Sequence, residues 1–257
     1  MERPKAELTL SDEERAALEE RARRRFTPQV RAPALRDSFT DSGYLRLRGA
    51  VPASTLAALR AEVGRLEAVA ARRDFGMECM GGSPRHMTTL GGQVIADESP
   101  LISGLYEHAG LLRFLGEVAA LDALPVRDPI ERYVVNILHR RGDTHGAHTD
   151  DYPLAVVLFL EAPPAPEGGG LLEYVPDTPD LGSLETSRAR HAHHHPGDAY
   201  VLRSDTTAHR VTPLLRDGVR RTVLNFAYTT SGRQGASTPS ASLLYADPRP
   251  RPRQTPS

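Results

Sequence analysis

The sequence predicts an α+β protein in which helices come first along the chain and short strands follow. Two observations predict this order. Apolar residues recur at helical spacing before about residue 120, and from Glu131 onward short β-rich runs are separated by Gly, Pro and Asp turns. Because the strands follow the helices instead of alternating with them, we expect a sandwich or barrel. The β-rich runs are ERYVVNILH, LAVVLFL, GGLLEYV, DAYVLR and VRRTVLNFAYTT.

The first half of the chain carries the helix signals. Ser11-Asp-Glu-Glu14 has the spacing of a capping box, which predicts a charged helix through about Arg25. The alternating segment Gly43–Arg48 predicts a short strand, and the segment 54–73 predicts a helix with leucines and a valine on one face. A further helix is expected near 100–120.

Three segments lack the pattern of a helix or a strand. Residues Gly76–Gly92 are rich in Gly and Met and predict a loop, which contains Cys79 and is explained either as a lid or by ordinary packing. The tract His191–His195 precedes a Pro-Gly turn and predicts an exposed loop in which metal would bind only adventitiously. The Pro- and Arg-rich tail from Asp247 predicts disorder.

These signals divide the chain into three parts. We expect an N-terminal helical extension at residues 1–40, one main domain at 41–235 and a C-terminal segment at 236–257 that is disordered after about residue 247. With 257 residues and 28.1 kDa, the chain can bury one substantial core.

Composition narrows the classes of function. Lys and Arg total 32 against 33 for Asp and Glu, so the chain lacks the basic field that a nucleic acid or an anionic membrane would require. Cys79 is the single cysteine, which excludes an intramolecular disulfide framework. The charged N-terminus has no apolar signal core, so we expect a soluble, cytoplasmic protein. Since a nucleic acid and a membrane are excluded by the charge balance, we expect its partner to be a small molecule. Whether it forms a homodimer stays open.

The motif His148-Thr149-Asp150 predicts a metal site. On an extended strand, residues i and i+2 point to the same side, so His148 and Asp150 can bind one metal together. His209, which follows a predicted strand, is the best candidate for a third ligand. Two histidines and one carboxylate leave three coordination positions open, as expected of a non-haem Fe(II) oxygenase.

A second motif predicts the binding of a carboxylate. Arg220 and Thr222 follow His209 in the pattern H-x10-R-x-T, and they lie on the same face of a predicted strand. An arginine fork and a hydroxyl suit the distal carboxylate of 2-oxoglutarate, which would occupy two of the open metal positions while dioxygen takes another. The sequence does not decide between Arg220 and its neighbour Arg221 as the anchor.

Each motif has an ordinary alternative. A lone H-x-D is more often a surface strand, and a lone histidine such as His209 is more often packed in a core or at a cap. Their combination with Glu167–Gly170 and Pro196–Asp198 at the starts of later strands favours the metal site. An alternative from another class is a cupin-like, non-enzymatic protein with a structural zinc, against which Arg220-x-Thr222 argues.

These motifs, over residues 40–230, resemble the Fe(II)/2-oxoglutarate-dependent oxygenase superfamily. The resemblance implies a double-stranded β-helix, also called a jelly roll, with helices packed outside. It is closest to the small enzymes that act on free amino acids, namely the radical lysine halogenases and their hydroxylase relatives. Those halogenases carry Gly in an H-x-G-D string where this chain has His148-Thr149-Asp150-Asp151. The carboxylate of Asp150 therefore implies hydroxylation.

The same resemblance assigns substrate-binding residues. It implies that Glu131 and Asp151 meet ammonium groups and that Arg85 pairs with the substrate carboxylate, with His145 and Asn225 completing the set. Two acids and one arginine suit a diamino acid such as lysine, because a zwitterion leaving water needs both of its charges compensated. Each of the five residues could also be an ordinary surface, turn or loop residue.

One departure weakens the lysine assignment. The relatives place a C-terminal Trp near the substrate carboxylate, whereas this chain has no Trp, and Tyr245 is its candidate substitute. A tailoring oxygenase that acts on a larger natural product is therefore the alternative within the superfamily. The sequence leaves open which amino acid and which carbon are oxidised, and whether the substrate is free or bound to a carrier.

Overall fold

The computed structural model describes residues 32–233 and 239–246, together with Glu13 and Ala17, both of which are helical. Within these ranges the chain forms six α-helices, four short 3-10 helices and twelve strands. The helices are α1 Ala32–Ser42, α2 Ala53–Leu66, α3 Gly92–Glu98, α4 Pro100–Tyr106, α5 Ala109–Ala119 and α6 Pro239–Tyr245. The strands are β1 Tyr44–Leu47, β2 Ala71–Met77, β3 Ser83–Leu90, β4 Leu124–Pro125, β5 Tyr133–Leu138, β6 Thr144–His148, β7 Leu154–Glu161, β8 Leu172–Val175, β9 Arg190–Ala192, β10 Ala199–Leu202, β11 Ala208–Val211 and β12 Arg221–Thr229.

The strands form one curled antiparallel sheet in the order β1-β10-β7-β12-β5-β3-β6-β11-β8-β9. Strand β2 extends β3 as a hairpin, and β4 pairs with the end of β12. This is the double-stranded β-helix that the sequence predicts, with β6, β8 and β11 in one half and β7, β10 and β12 in the other.

Strand alternation separates two cores. Along β7, Leu154, Val156, Leu158 and Leu160 pack against the helices, whereas Ala155, Val157 and Phe159 point into the barrel. Strand β12 alternates in the same way, because Leu224 and Phe226 join the helical side and Val223 joins the interior. Even and odd positions of these strands therefore belong to different environments, and this decides which polar residues can face a site.

Three predictions about single elements were wrong. The segment Gly76–Gly92 is largely a β-hairpin, because its turn is confined to residues 78–82, where a short 3-10 helix at Glu78–Met80 is followed by Gly81 and Gly82 with φ of 64° and 76°. The predicted helix near 54–73 ends at Leu66, and the one near 100–120 is divided between α4 and α5. Caps explain that division, since His108 Nδ1 accepts a hydrogen bond from the backbone N–H of Gly110 at the start of α5.

Some predictions lie partly or wholly outside the described residues. The N-terminal helix is represented only by Glu13 and Ala17, and the tail from residue 247 onward is not described. The proposed boundary at residue 40 falls inside α1, whose Phe39 is buried in the helical-side core. In the described part of the chain, no helix combines the length and the apolar character needed to cross a membrane.

Candidate metal centre and its two chambers

The three predicted metal ligands lie together at one end of the barrel. His148 ends β6 and is the register partner of His209 on β11, so the sheet itself places the two imidazoles side by side. Their Nε2 atoms lie 3.6 Å and 3.8 Å from Asp150 Oδ1. Among the described residues, this is the one group of three or more His, Cys, Asp or Glu side chains whose ligand atoms all lie within 4.8 Å of one another.

Backbone carbonyls fix both imidazoles in the form that binds a metal. His148 Nδ1 donates to Gly146 O at 2.7 Å, and His209 Nδ1 donates to Thr207 O at 2.9 Å. Because a carbonyl can only accept, each Nδ1 carries the proton and each Nε2 keeps its lone pair for a metal. Burial also lowers the pKa of His148, which keeps it neutral.

The donor set fits Fe(II). Two imidazoles and one carboxylate converge from one side, which leaves the opposite positions for other ligands. Burial raises the pKa of the Asp150 carboxyl, and a bound cation would restore the charged form that burial disfavours. The backbone N–H of Asp150 donates to Ser204 O at 2.9 Å, so the ligand is held by the other half of the sheet.

An inner chamber lies between the metal centre and the interior of the barrel. At its polar end Arg221 is 2% exposed, and its guanidinium lies 5.0 Å from the centre of the Phe159 ring. Burial lowers the pKa of Arg221, and the nearby Tyr200 hydroxyl opposes that shift. Arg221 Nε has no hydrogen-bond partner, and no carboxylate of the described residues forms an ion pair with this side chain. The chamber is lined by Asn136, His145, His148, Asp150, Ala155, Val157, Tyr200, Leu202, His209, Val211, Arg221, Val223 and Asn225.

The predicted pair Arg220 and Thr222 does not face this chamber. Arg220 lies on the helical side, half-exposed, with its guanidinium paired to Glu67 at 3.0 Å and to Glu161 at 3.1 Å. Thr222 donates its hydroxyl to the same Glu161 at 2.5 Å. The prediction that these two side chains face the metal was wrong because residues 220 and 222 share the parity of Leu224, whereas Arg221 shares that of the inward-facing Val223.

An outer chamber opens on the other side of the metal centre. It shares His145, His148, Asp150 and Asn225 with the inner chamber, so a ligand in either chamber would lie beside the same metal. Helix α6 covers it with Ser240, Ala241, Leu244 and Tyr245. The rest of its wall comprises Met77, Met80, Arg85, Glu131, Val134, Thr149, Asp151, Tyr152, Ser204 and Ala227.

Comparisons with known proteins agree with this architecture. A family model described as "Halogenase D" matches residues 27–241. The chain belongs to the halogenase D family. Among curated protein sequences, none matches the chain.

Solved structures of low sequence identity share the fold. SnoK, a non-heme alpha ketoglutarate dependent carbocyclase from nogalamycin biosynthesis, is 16% identical with a TM-score of 0.64, covering 88% of this chain and 96% of that one. HygX from Streptomyces hygroscopicus, with nickel and 2-oxoglutarate bound, is 15% identical with a TM-score of 0.59, covering 79% and 88%. The epimerase SnoN in complex with Fe3+, alpha ketoglutarate and nogalamycin RO is 18% identical with a TM-score of 0.58, covering 84% of each chain. At these identities the likeness shows the fold, and the predicted double-stranded β-helix is confirmed.

All five predicted substrate residues line the outer chamber of this halogenase D family member. Arg85 on β3 is 1% exposed and donates to Ser83 O, Ser83 Oγ and Pro84 O, but its Nε has no partner. Glu131 Oε2 is buried without a hydrogen bond. Burial, with repulsion from Asp151 and Asp150, raises the pKa of Glu131 to about 8.

The remaining predicted residues complete the polar wall. The His145 ring stacks on that of His148 at 4.1 Å, and its Nε2 has no partner. Asn225 Oδ1 is likewise buried without a partner, whereas Asp151 is exposed at the rim. Buried polar atoms are almost always hydrogen-bonded, so unsatisfied atoms that converge on one chamber indicate that it receives a polar ligand.

Several residues of the two chambers were missed by sequence reasoning. Asn136, on β5, is the one polar residue of that strand, and its Nδ2 donates to Tyr245 Oη at 3.5 Å. The alternation of β12 could have identified Arg221, since it shares parity with the predicted Asn225. No sequence pattern signals Tyr200, which stands among the apolar residues of β10.

The His191–His195 tract was also misinterpreted. Its first residues form the edge strand β9, and His194 is 2% exposed instead of lying in an exposed loop. The His194 ring stacks on Phe159 inside the barrel.

Proposed function

We propose that the protein is an Fe(II)- and 2-oxoglutarate-dependent oxygenase that hydroxylates an unactivated C–H bond of a free amino acid, with lysine or another basic amino acid as substrate. The observation that carries the proposal is the position of the His148, Asp150 and His209 cluster between two chambers of different charge. The inner chamber ends at Arg221, with which no carboxylate of the described residues forms an ion pair. The outer chamber combines an arginine with carboxylates.

The inner chamber suits 2-oxoglutarate. Arg221 would receive the distal carboxylate and Tyr200 would orient the guanidinium, while the oxo acid end would reach the metal beside His148 and His209. A buried arginine without a counter-ion is costly, and an anionic co-substrate offsets that cost. When bound, iron with 2-oxoglutarate and dioxygen supplies the oxidising power for C–H hydroxylation.

Asp150 favours hydroxylation over halogenation. The halogenases that this chain resembles carry Gly at this position, which leaves a coordination site for chloride. Here the carboxylate of Asp150 lies within 3.8 Å of both histidine Nε2 atoms, where it would occupy that site. Membership of the halogenase D family is therefore combined with the ligand set of a hydroxylase.

The outer chamber suits a cationic amino acid. Arg85 would pair with the substrate carboxylate, and Glu131 with Asp151 would meet the ammonium groups. His145 Nε2 and Asn225 Oδ1 would contribute hydrogen bonds close to the metal. Each charge of the substrate would meet an opposite charge of the protein, which is the condition for moving a zwitterion out of water.

The decisive experiment is a substrate panel. Basic and neutral amino acids are mixed anaerobically with the protein, Fe(II) and 2-oxoglutarate, exposed to oxygen and examined by mass spectrometry. A product of lysine or another basic amino acid heavier by one oxygen atom is expected. A chloride-dependent product in which chlorine replaces hydrogen would contradict the hydroxylase assignment.

Two further outcomes separate the alternatives. Turnover of 2-oxoglutarate stimulated by a larger natural product, but by no amino acid, would indicate a tailoring oxygenase. Metal analysis and 2-oxoglutarate binding, compared between the wild type and His148→Ala, test the enzyme class itself. A wild-type protein that holds zinc and binds neither iron nor 2-oxoglutarate would be a non-enzymatic metal-binding protein.

A further inference from the structure

The inner chamber ends on a layer of aromatic side chains that the proposed function leaves without a role. Phe159 is at the centre of this layer, with the Arg221 guanidinium 5.0 Å from its ring centre and the His194 ring stacked on it at 4.3 Å with an interplanar angle of 14°. Two groups cannot occupy one face of a ring, so the Phe159 ring lies between Arg221 and His194. Phe159 and His194 are each 2% exposed.

His194 is held in this layer by a hydrogen bond as well as by stacking. Its Nε2 is hydrogen-bonded to Tyr44 Oη at 2.8 Å, and Tyr44 in turn stacks on Tyr174 at 4.7 Å. Burial, and the positive charges of Arg221 and Arg46, lower the pKa of His194 to about 3. The imidazole is therefore neutral at physiological pH and adds no positive charge behind Arg221.

Packing behind Arg221 limits how far its guanidinium can retreat. Protein interiors are close-packed, so Phe159 cannot move away from the chamber unless His194 moves as well. A 2-oxo diacid with one more methylene than 2-oxoglutarate extends its distal carboxylate by roughly 1.3 Å. Such an acid would require Arg221 to enter the space that Phe159 and His194 fill.

We propose that His194, acting through Phe159, fixes the depth of Arg221 and thereby excludes 2-oxo diacids longer than the five-carbon 2-oxoglutarate. The proposal rests on the proposed function, in which Arg221 receives the distal carboxylate of 2-oxoglutarate. His194 is a positioning residue in this scheme, since Phe159 separates it from the co-substrate. It gives a role to one histidine of a tract whose sequence alone suggests adventitious metal binding.

The test compares the binding of 2-oxoglutarate and 2-oxoadipate without turnover. Protein loaded with Mn(II) is titrated with each acid by calorimetry, in the wild type and in His194→Ala. One methylene in a fitted pocket changes affinity by roughly 10- to 200-fold, so the wild type should prefer 2-oxoglutarate by at least about tenfold. In His194→Ala we expect that preference to fall about tenfold, with weaker binding of 2-oxoglutarate and tighter binding of 2-oxoadipate.

Two further variants separate positioning from general damage. His194→Phe keeps the stacking on Phe159 without the hydrogen bond to Tyr44, and it should retain the wild-type preference. Phe159→Leu, which also opens space behind Arg221, should lower the preference in the same direction as His194→Ala. His195→Ala is the matched control, because His195 belongs to the same tract and is exposed.

The outcomes distinguish this proposal from the proposed function. A wild type that does not bind 2-oxoglutarate would overturn both. A wild type that binds it, with an unchanged preference in His194→Ala and Phe159→Leu, would overturn the role of His194 alone. If His194→Ala does not fold, as judged by circular dichroism, the ratio of the affinities for 2-oxoglutarate and 2-oxoadipate in Phe159→Leu decides the question.

Discussion

At the scale of single residues, two neighbouring arginines of β12 have opposite environments. Arg220 pairs with Glu67 and Glu161 on the helical side, whereas Arg221 is buried at the end of the inner chamber. We expect Arg221→Ala to weaken 2-oxoglutarate binding on the order of 100-fold, since loss of a buried charge partner costs about 3 kcal/mol. Titration of the metal-loaded protein with 2-oxoglutarate measures this.

The adjacent residue supplies the control. Arg220→Ala removes only partly exposed ion pairs, so its affinity for 2-oxoglutarate should stay within about twofold of the wild type. Arg221→Lys should bind 2-oxoglutarate with an affinity between those of the wild type and Arg221→Ala. An ammonium keeps the positive charge but not the fork that binds a carboxylate through two hydrogen bonds. Equal losses in Arg220→Ala and Arg221→Ala would show that neither residue is the anchor.

The raised pKa of Glu131 predicts how the stability of the metal-free protein depends on pH. Its pKa is about 8 in the folded chain against 4.5 for an ordinary glutamate, so the folded state binds the extra proton between these values. Stability is therefore lost as pH rises towards 8, and the full cost is present above it. We expect Glu131→Gln to stabilise the protein by about 1–2 kcal/mol at pH 8.5 and by much less at pH 5.

Thermal unfolding of the metal-free protein at both pH values checks this expectation. Glu167→Gln, which removes an exposed carboxylate, controls for the change in net charge. The groups that act on Glu131 are Asp128, Asp150 and Asp151, and their repulsion adds to the burial that raises its pKa. A Glu131→Gln variant that is stabilised equally at pH 5 and pH 8.5 would contradict an ionised, buried carboxylate as the cause.

At the scale of elements, α6 is held over the outer chamber by hydrogen bonds to its last carbonyls. Arg73 donates through Nε to Leu244 O at 2.8 Å and through Nη2 to Ala246 O at 3.0 Å, and Thr89 Oγ1 donates to Leu244 O at 2.8 Å. Carbonyls at the end of a helix have no partners within the helix, so a basic side chain there stabilises it. Arg73 therefore positions the wall that carries Tyr245.

We expect Arg73→Ala to raise the KM for the amino acid about tenfold while the affinity for 2-oxoglutarate changes less than twofold. Two or three lost hydrogen bonds at about 1 kcal/mol each are enough to weaken the docking of α6, and the inner chamber has no wall from that helix. Steady-state kinetics with each substrate varied in turn separates the two effects. Arg65→Ala, which removes contacts with Glu62 and Glu98 elsewhere, is the control.

A second variant, Gly91→Ala, also tests whether the amino acid requires α6 in its observed position. A Cβ atom at Gly91 would lie 1.8 Å from Tyr245 O, so Gly91→Ala must displace the end of α6 or the strand beneath it. It should therefore reproduce the KM effect of Arg73→Ala. An unchanged KM for the amino acid in both variants would show that α6 is not part of the substrate wall.

The strands and the site residues differ in how well they can be predicted from the sequence. Strands β5, β7, β8, β10 and β12 and the spacing of His148, Asp150 and His209 could be predicted, because alternation and i, i+2 geometry are local properties of the chain. The β2–β3 hairpin was missed because β3 is held in the sheet by pairing with β5 and β6, which are distant in sequence, and β2 pairs only with β3 among the described strands. Arg221 was passed over for Arg220 because a one-residue shift in a strand exchanges its two faces.

At the scale of the whole molecule, the metal centre lies where the two halves of the sheet meet, and its ligands come from both halves. His148 and His209 belong to the half that contains β6 and β11, whereas Asp150 is anchored to Ser204, which follows β10 in the other half. A metal bound by all three would cross-link the two halves at the open end of the barrel. Unfolding would then have to break that cross-link, so metal binding should stabilise the fold as a whole.

We therefore expect a divalent metal to raise the Tm of the metal-free protein. At a free metal concentration of 100 times Kd, mass action stabilises the folded state by about 2.7 kcal/mol, or roughly 5–10 °C in Tm for a chain of this size. Asp150→Ala should lose most of this increase because it breaks the link to the second half, whereas His193→Ala, in the separate histidine tract, should keep it. An equal increase in Tm for wild type and Asp150→Ala would place the metal elsewhere, since the two remaining histidines lie on neighbouring strands of one half and cannot hold the barrel closed.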